Sequence, residues 1–257
     1  MQQNRREFVK TLLIGSAGVA LFPLSARGET GDPWLTQVPQ ILARIKPPVF
    51  PKHDFVITKY GAKAGVENDS TSAISKAIDA CNKAGGGRVV IPAGEFLTGA
   101  IHLKSNVNLY LSRGATLKFS TDEKSYLPIV MTRWEGMELM SYSPFIYAFG
   151  QSNIAITGEG TLDGQSGPDG FWKWHGNPKY GWKEGMPNQK AARAKLYKMM
   201  EDGLPVEQRI FGAGSFLRPN FIQPYRCKNI LIEGVSIINS PMWEIHPVLS
   251  ENITVRN

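Results

Sequence analysis

The chain has 257 residues, 42% of them hydrophobic, with 26 glycines and 17 prolines, so a real core and a turn-rich architecture are possible in one large domain or two small ones. The formal charge is +7, but residues 1–28 place Arg5, Arg6, Lys10 and Arg27 against Glu7 alone. The rest carries a mild basic surplus without a Lys/Arg cluster, which argues against nucleic acid and permits an acidic polymer as partner.

In chain order, Asn4-Arg5-Arg6-Glu7-Phe8-Val9-Lys10 precedes a mild apolar run from Thr11 to Phe22, and Ala26-Arg27-Gly28 offers small residues for cleavage. This order of elements reads as a twin-arginine export signal over 1–28, too short and too diluted by Gly15, Ser16 and Gly18 for stable membrane insertion. Export to the periplasm or beyond is the expectation. Residues 29–52 read as a Pro-rich arm, because Pro33, Pro39, Pro47, Pro48 and Pro51 argue against a long regular element.

Residues 53–257 then read as one domain. Phe55-Val56-Ile57 is a first strand. Asp69-Ser70-Thr71 supplies capping oxygens to a helix with Ile74, Ala77, Ile78 and Cys81 on one face, ended by Gly85-Gly86-Gly87. The glycine triplet is no phosphate loop, since no Lys-Ser/Thr follows and a strand comes next. Short alternating strands fill 88–120, with His102 pointing outward between Ile101 and Leu103. Insertions are expected at about 121–150 and 165–215. In the first, Arg133 and Trp134 with Glu135 fit either a carbohydrate cleft or a structural ion pair beside a packed ring. In the second, Phe171-Trp172-Lys173-Trp174-His175 either stacks on sugars or fixes the insertion to the body, and Lys190–Asp202 reads as a basic helix. The two cysteines, Cys81 and Cys227, read as buried thiols or as a pair, with no metal-ligand spacing.

One phrase recurs: Asn229-Ile230-Leu231-Ile232 and Asn252-Ile253-Thr254-Val255, 23 residues apart, with earlier copies at Asn106 and Asn153. An asparagine bend followed by a short strand at this period predicts a solenoid whose first turn is covered by the helix that starts at Asp69-Ser70-Thr71 and stops at Gly85. The larger spacings, 47 and 76 residues, are read as about two and three turns with insertions.

The stretch Gly85–Leu109 resembles the opening of the polygalacturonase-like glycoside hydrolases of family 28. So do Thr132-Arg133-Trp134-Glu135-Gly136, Asn153–Gly164 and Asn239-Ser240-Pro241-Met242-Trp243-Glu244-Ile245-His246-Pro247, in the order the family would have. The resemblance implies an all-β, right-handed parallel β-helix. It also implies hydrolysis of α-linked galacturonate or a related pectic glycan, in a polysaccharide or oligogalacturonide, with inversion, and without metal or cofactor. The family's aspartates lie in Asn-x-Asp and Asp-Asp elements, followed by His-Gly and Arg-Ile-Lys. None is present in context: His175-Gly176 falls in the insertion, Arg44-Ile45-Lys46 in the arm, and Asp202 is the last aspartate. No catalytic residue is therefore assigned. The sequence reads as a truncated solenoid, inactive alone, with the family aspartates expected after Asn257. Trp243, His246, Arg133 and Trp134 are the candidates for substrate binding. The rival readings are a pectate-lyase-like β-helix and a non-catalytic glycan-binding or structural one.

Overall fold

A computed structural model describes residues 32–257, and the expected export signal at 1–28 lies outside them. Two compact units are distinguished, up to Arg44 and from Ile45 onward. Helices and strands are numbered in chain order among the described residues.

The first unit shows helix α1 (Pro33–Arg44), where the prolines argued for irregular chain. The reason is position. Pro33 sits at the first helical residue, where no N–H is needed, and Asp32 caps the turn by accepting from Trp34 N at 3.0 Å. Only Pro39 interrupts the interior.

The second unit is a parallel β-helix. Its longest sheet stacks β1 (Asp54–Val56), β3 (Gly87–Ile91), β6 (Val107–Leu111), β11 (Ser152–Gly158), β15 (Lys228–Glu233) and β17 (Glu251–Arg256) in sequence order. A second stacks β2 (Gly65–Asp69), β4 (Gly94–Thr98), β7 (Ala115–Phe119), β12 (Thr161–Asp163) and β16 (Ser236–Ile238). The third holds β5 (Ile101–His102), β10 (Ile146–Phe149) and β14 (Ile222–Tyr225), and bridges onward to Ile245 and Val248. Every pairing in these sheets is parallel, and the winding is right-handed, as crossovers between parallel strands are.

Register turns one side-chain choice into a column. Val89, Leu109, Ile156 and Ile232 lie opposite one another on successive turns and are all buried. At one corner Phe145 sits between Phe119 (5.0 Å between ring centres), Tyr126 (4.5 Å) and Phe221 (5.1 Å). At another corner stand the repeated asparagines. Asn153 Nδ2 donates to Asn106 Oδ1 (3.1 Å), Asn229 to Asn153 (2.9 Å) and Asn252 to Asn229 (3.0 Å). All four have positive φ, 53 to 64°, a conformation asparagine tolerates better than most residues. The ladder corrects the reading of the spacings. The 47- and 76-residue intervals are one turn each, since β6, β11 and β15 are direct neighbours.

Helix α2 (Thr71–Lys83) covers the first turns with Ile74, Ala77, Ile78 and Cys81 buried in the core. Asp69 caps it, its Oδ1 accepting from Thr71 N and Oγ1. Cys81 and Cys227 are both buried and free.

The insertions differ from expectation in extent and in company. The first ends before 146, because Ile146–Phe149 is a body strand, and it contains the antiparallel hairpin β8 (Val130–Trp134) and β9 (Met137–Ser141). The second contains helix α3 (Lys190–Glu201) and ends in β13 (Ile210–Phe211), which pairs with β9. Both insertions thus form one lateral body around Trp134, Met137, Leu139, Leu196, Phe211 and Leu217.

Candidate functional site

The lateral body decides which part of the third sheet faces solvent. Register lines up His102, Tyr147, Gln223 and His246 on its outer face, with Ile101, Ile146, Ile222 and Ile245 turned inward. Hairpin β8–β9 lies over the middle of this column. Tyr147 Oη donates to Met131 O (2.5 Å), Tyr225 Oη to the Glu138 carboxylate, and Thr132 Oγ1 to Gln223 Oε1. Tyr147, Gln223 and Tyr225 are buried as a result, His102 stays exposed at one end, and His246 is half-buried at the other.

The His246 ring is held in one state. Its Nδ1 accepts from Gln223 Nε2 (2.9 Å) and Asn220 Nδ2 (3.1 Å), so the ring proton belongs on Nε2. Burial, helped by the Arg133 charge, pushes its pKa below the ordinary histidine value, which favours the same neutral form. The two amides are fixed in turn by the hairpin, each donating at 3.1 Å to the carbonyl of Arg133. Trp243 stands beside the imidazole, ring centres 6.4 Å apart and planes 29° apart, with over half its surface exposed at 58%. A flat exposed indole, a ring N–H donor and a nearby cation suit a polyhydroxylated anionic ligand.

The four candidates therefore separate. Trp243 and His246 are neighbours on one rim. Arg133 reaches the same place chiefly through its carbonyl and its field, its Nε donating to Gly136 O at 2.9 Å. Trp134 is the correction. It is 3% exposed, inside the lateral core, with its indole N–H on Arg218 O (3.1 Å), so its ring packs and does not face a ligand. The ion pair expected beside it joins Glu135 to Arg193. Of the aromatic run, Phe171 and Trp174 are buried in the main core and anchor the insertion.

Next to Trp243 in sequence, Pro241, Met242 and Glu244 line an open hollow of about 460 Å³ with Trp172, His175, Tyr180 and Arg218. Neither Arg218 nor the amides Asn220 and Gln223 were singled out from sequence. A larger hollow, about 780 Å³, lies on the outer face of the long sheet beside residues 48–52. Most of its charges are matched within the protein, Arg88 with Asp54, Glu159 with Arg113 and Glu233 with Arg256. Among the described residues no group of three His, Cys, Asp or Glu is placed to hold a metal ion, and no helix is long and apolar enough to cross a membrane.

An exopolygalacturonase of solved structure from Thermotoga maritima superposes with a TM-score of 0.82 and 49% sequence identity, over 85% of this chain and 49% of that one. The chain belongs to the polygalacturonase-like glycoside hydrolases of family 28. It is 32% identical to an exo-poly-α-D-galacturonosidase of Dickeya chrysanthemi, over 77% of this chain and 34% of the relative. It is 26% identical to a probable polygalacturonase of Vitis vinifera, over 79% and 36%. No family model matches the chain. The polygalacturonase-like chain thus spans about a third of the length of these curated relatives.

Proposed function

We propose that the protein acts on pectic glycans, hydrolysing α-linked galacturonate or a related residue by inverting acid/base chemistry, and that these 257 residues supply a substrate-binding face. The observation that carries this is the rim at Trp243 and His246: an exposed indole beside an imidazole whose donor nitrogen faces out because its other nitrogen is occupied. The indole would stack on a sugar face, and Nε2–H would donate to a hydroxyl or ring oxygen. Export through the twin-arginine motif at Arg5-Arg6 would place this face where pectic polymer is found.

Glycoside hydrolysis needs a carboxylic acid and a second carboxylate. Near this face Glu138 is bonded to Tyr225 and Glu135 to Arg193, leaving Glu244 as the unpaired carboxylate of the hollow among the described residues. The chain by itself is therefore proposed to bind without cleaving. Two assays on the purified chain test this: titration with trigalacturonate, and release of reducing ends from polygalacturonate. Binding weakened about tenfold or more by Trp243→Ala or His246→Ala, with no reducing ends released, is the expected result. Equal binding in both variants overturns the rim as the site. Cleavage by the chain, abolished by a substitution within it, overturns its inactivity.

A further inference from the structure

We propose that the hollow beside Trp243 binds the carboxylate of a uronic acid unit on the Arg218 guanidinium, with the sugar ring against Trp172 and Tyr180. The inference rests on the pectic reading and adds to it a charge-reading position.

Arg218 is the reason. It lies between β13 and β14 and is half-buried, and this burial lowers its pKa from the ordinary arginine value. Its two hydrogen bonds go to neutral oxygens, Nε to Gln189 Oε1 and Nη1 to Pro241 O, both at 3.1 Å. A guanidinium has five N–H donors, so three are directed at no protein acceptor among the described residues. No carboxylate forms an ion pair with it among those residues, and Glu135, which acts on it at a distance, is already bonded to Arg193 at 2.7 Å. A partly desolvated cation without a counter-ion favours an anion from outside, and a planar fork suits a carboxylate best.

The surroundings select what carries that carboxylate. Trp172 is fixed by its indole N–H on Ser240 O (2.7 Å), and Tyr180 by packing on His175 at 4.8 Å between ring centres. Both present flat surfaces on the wall of a hollow whose size fits a sugar unit. His175 Nδ1 is buried with no protein partner among the described residues, and its pKa is lowered by burial and by the charges of Arg218, Lys190 and Arg193, which outweigh Glu135 acting the other way. The local field is therefore positive. Glu244 is the opposing charge. It is exposed on the lining, where it repels a second carboxylate and accepts from sugar hydroxyls, so the ligand enters with its acid group toward Arg218.

The test compares galacturonate, its neutral methyl ester and galactose, titrated into the chain by calorimetry and by tryptophan fluorescence. Trigalacturonate serves as the control for pectic binding. Galacturonate should bind about tenfold or more tightly than the ester or galactose, and the preference should weaken with salt. Arg218→Gln should abolish the preference, and Arg218→Lys should retain part of it, both with unchanged thermal unfolding. Equal binding of acid, ester and galactose to the unaltered chain overturns the proposal without any variant. A preference that survives Arg218→Gln overturns the Arg218 assignment while the pectic reading stands. Failure of the unaltered chain to bind either galacturonate or trigalacturonate overturns both.

Discussion

In the β-helical stack a residue's neighbours follow from counting along the register: Val89, Leu109, Ile156 and Ile232 share a column because each occupies the same place in its turn. In the lateral body no such counting works. Trp134 comes from the first insertion and Leu196 from the second, and they share a core only because β13 adds to β9 and α3 packs beside them. The stack holds itself by repetition, each turn templating the next. The lateral body has six buried residues in its core and leans on the stack through Thr132, Met131 and Glu138. The candidate site stands at their junction: Trp243 and His246 belong to the stack, while the hairpin fixes the amides that hold His246. Such a site inherits rigidity from one region and shape from the other.

The comparison can be broken most strongly inside the stack. Phe145→Ala removes a fully buried ring from the aromatic corner and should cost about 3–5 kcal/mol of global stability in denaturant unfolding. Leu196→Ala should cost roughly 2–3 kcal/mol, and locally. Hydrogen exchange should show β8 and β9 losing protection while β6 and β11 keep theirs. Loss of protection in both regions together would show that they unfold as one unit. Asn153→Ala removes a rung that both donates and accepts, and should cost about 1–2 kcal/mol in the same unfolding measurement.

Acid offers a gentler separation. Burial depresses the pKa of His175 and His246 below the ordinary value of 6.5, and the neighbouring protein partly desolvates the ring of His102 with the same direction, although its side chain reaches solvent. A histidine kept neutral by folding contributes stability that is fully present above its unfolded pKa and is lost as pH falls through its folded one. Stability should therefore decline below about pH 6.5, since the unfolded chain binds more protons there. Two of these histidines, His175 and His246, stand at the junction, so near-ultraviolet circular dichroism should report loosening there before the far-ultraviolet signal of the stack changes. Simultaneous loss of both signals would contradict the separation. The smallest effect is expected at the surface: Arg113→Ala breaks an exposed pair with Glu159 and should leave the melting temperature unchanged within error.

Legibility in the sequence follows the same divide. The asparagine phrase identified the repeat because a bend and a strand are local events, and the capping helix was visible from its apolar face. The turn count went wrong because spacing cannot separate two short turns from one turn carrying an insertion. The arm is illegible for a positional reason: Pro33 breaks a helix in its interior but starts one at its first residue. Trp134 looked like a sugar platform because an aromatic next to an arginine carries the same letters whether the ring points in or out. Gln223, Asn220 and Arg218 gave no signal at all. Their importance comes from what they meet across the fold, and nothing in their immediate neighbours sets them apart from ordinary polar residues.

The asparagine ladder has a consequence for engineering. Between adjacent rungs the chain runs 23 residues in one turn and 76 in another, yet the amides meet at 3.0 and 2.9 Å in both. Rung geometry is thus independent of loop cargo. The 47-residue turn between Asn106 and Asn153 should therefore accept a grafted domain whose ends lie close together, for instance after Ser120, without shifting the strands above or below. The ladder works as an index mark, and whatever is threaded between two marks leaves their alignment intact.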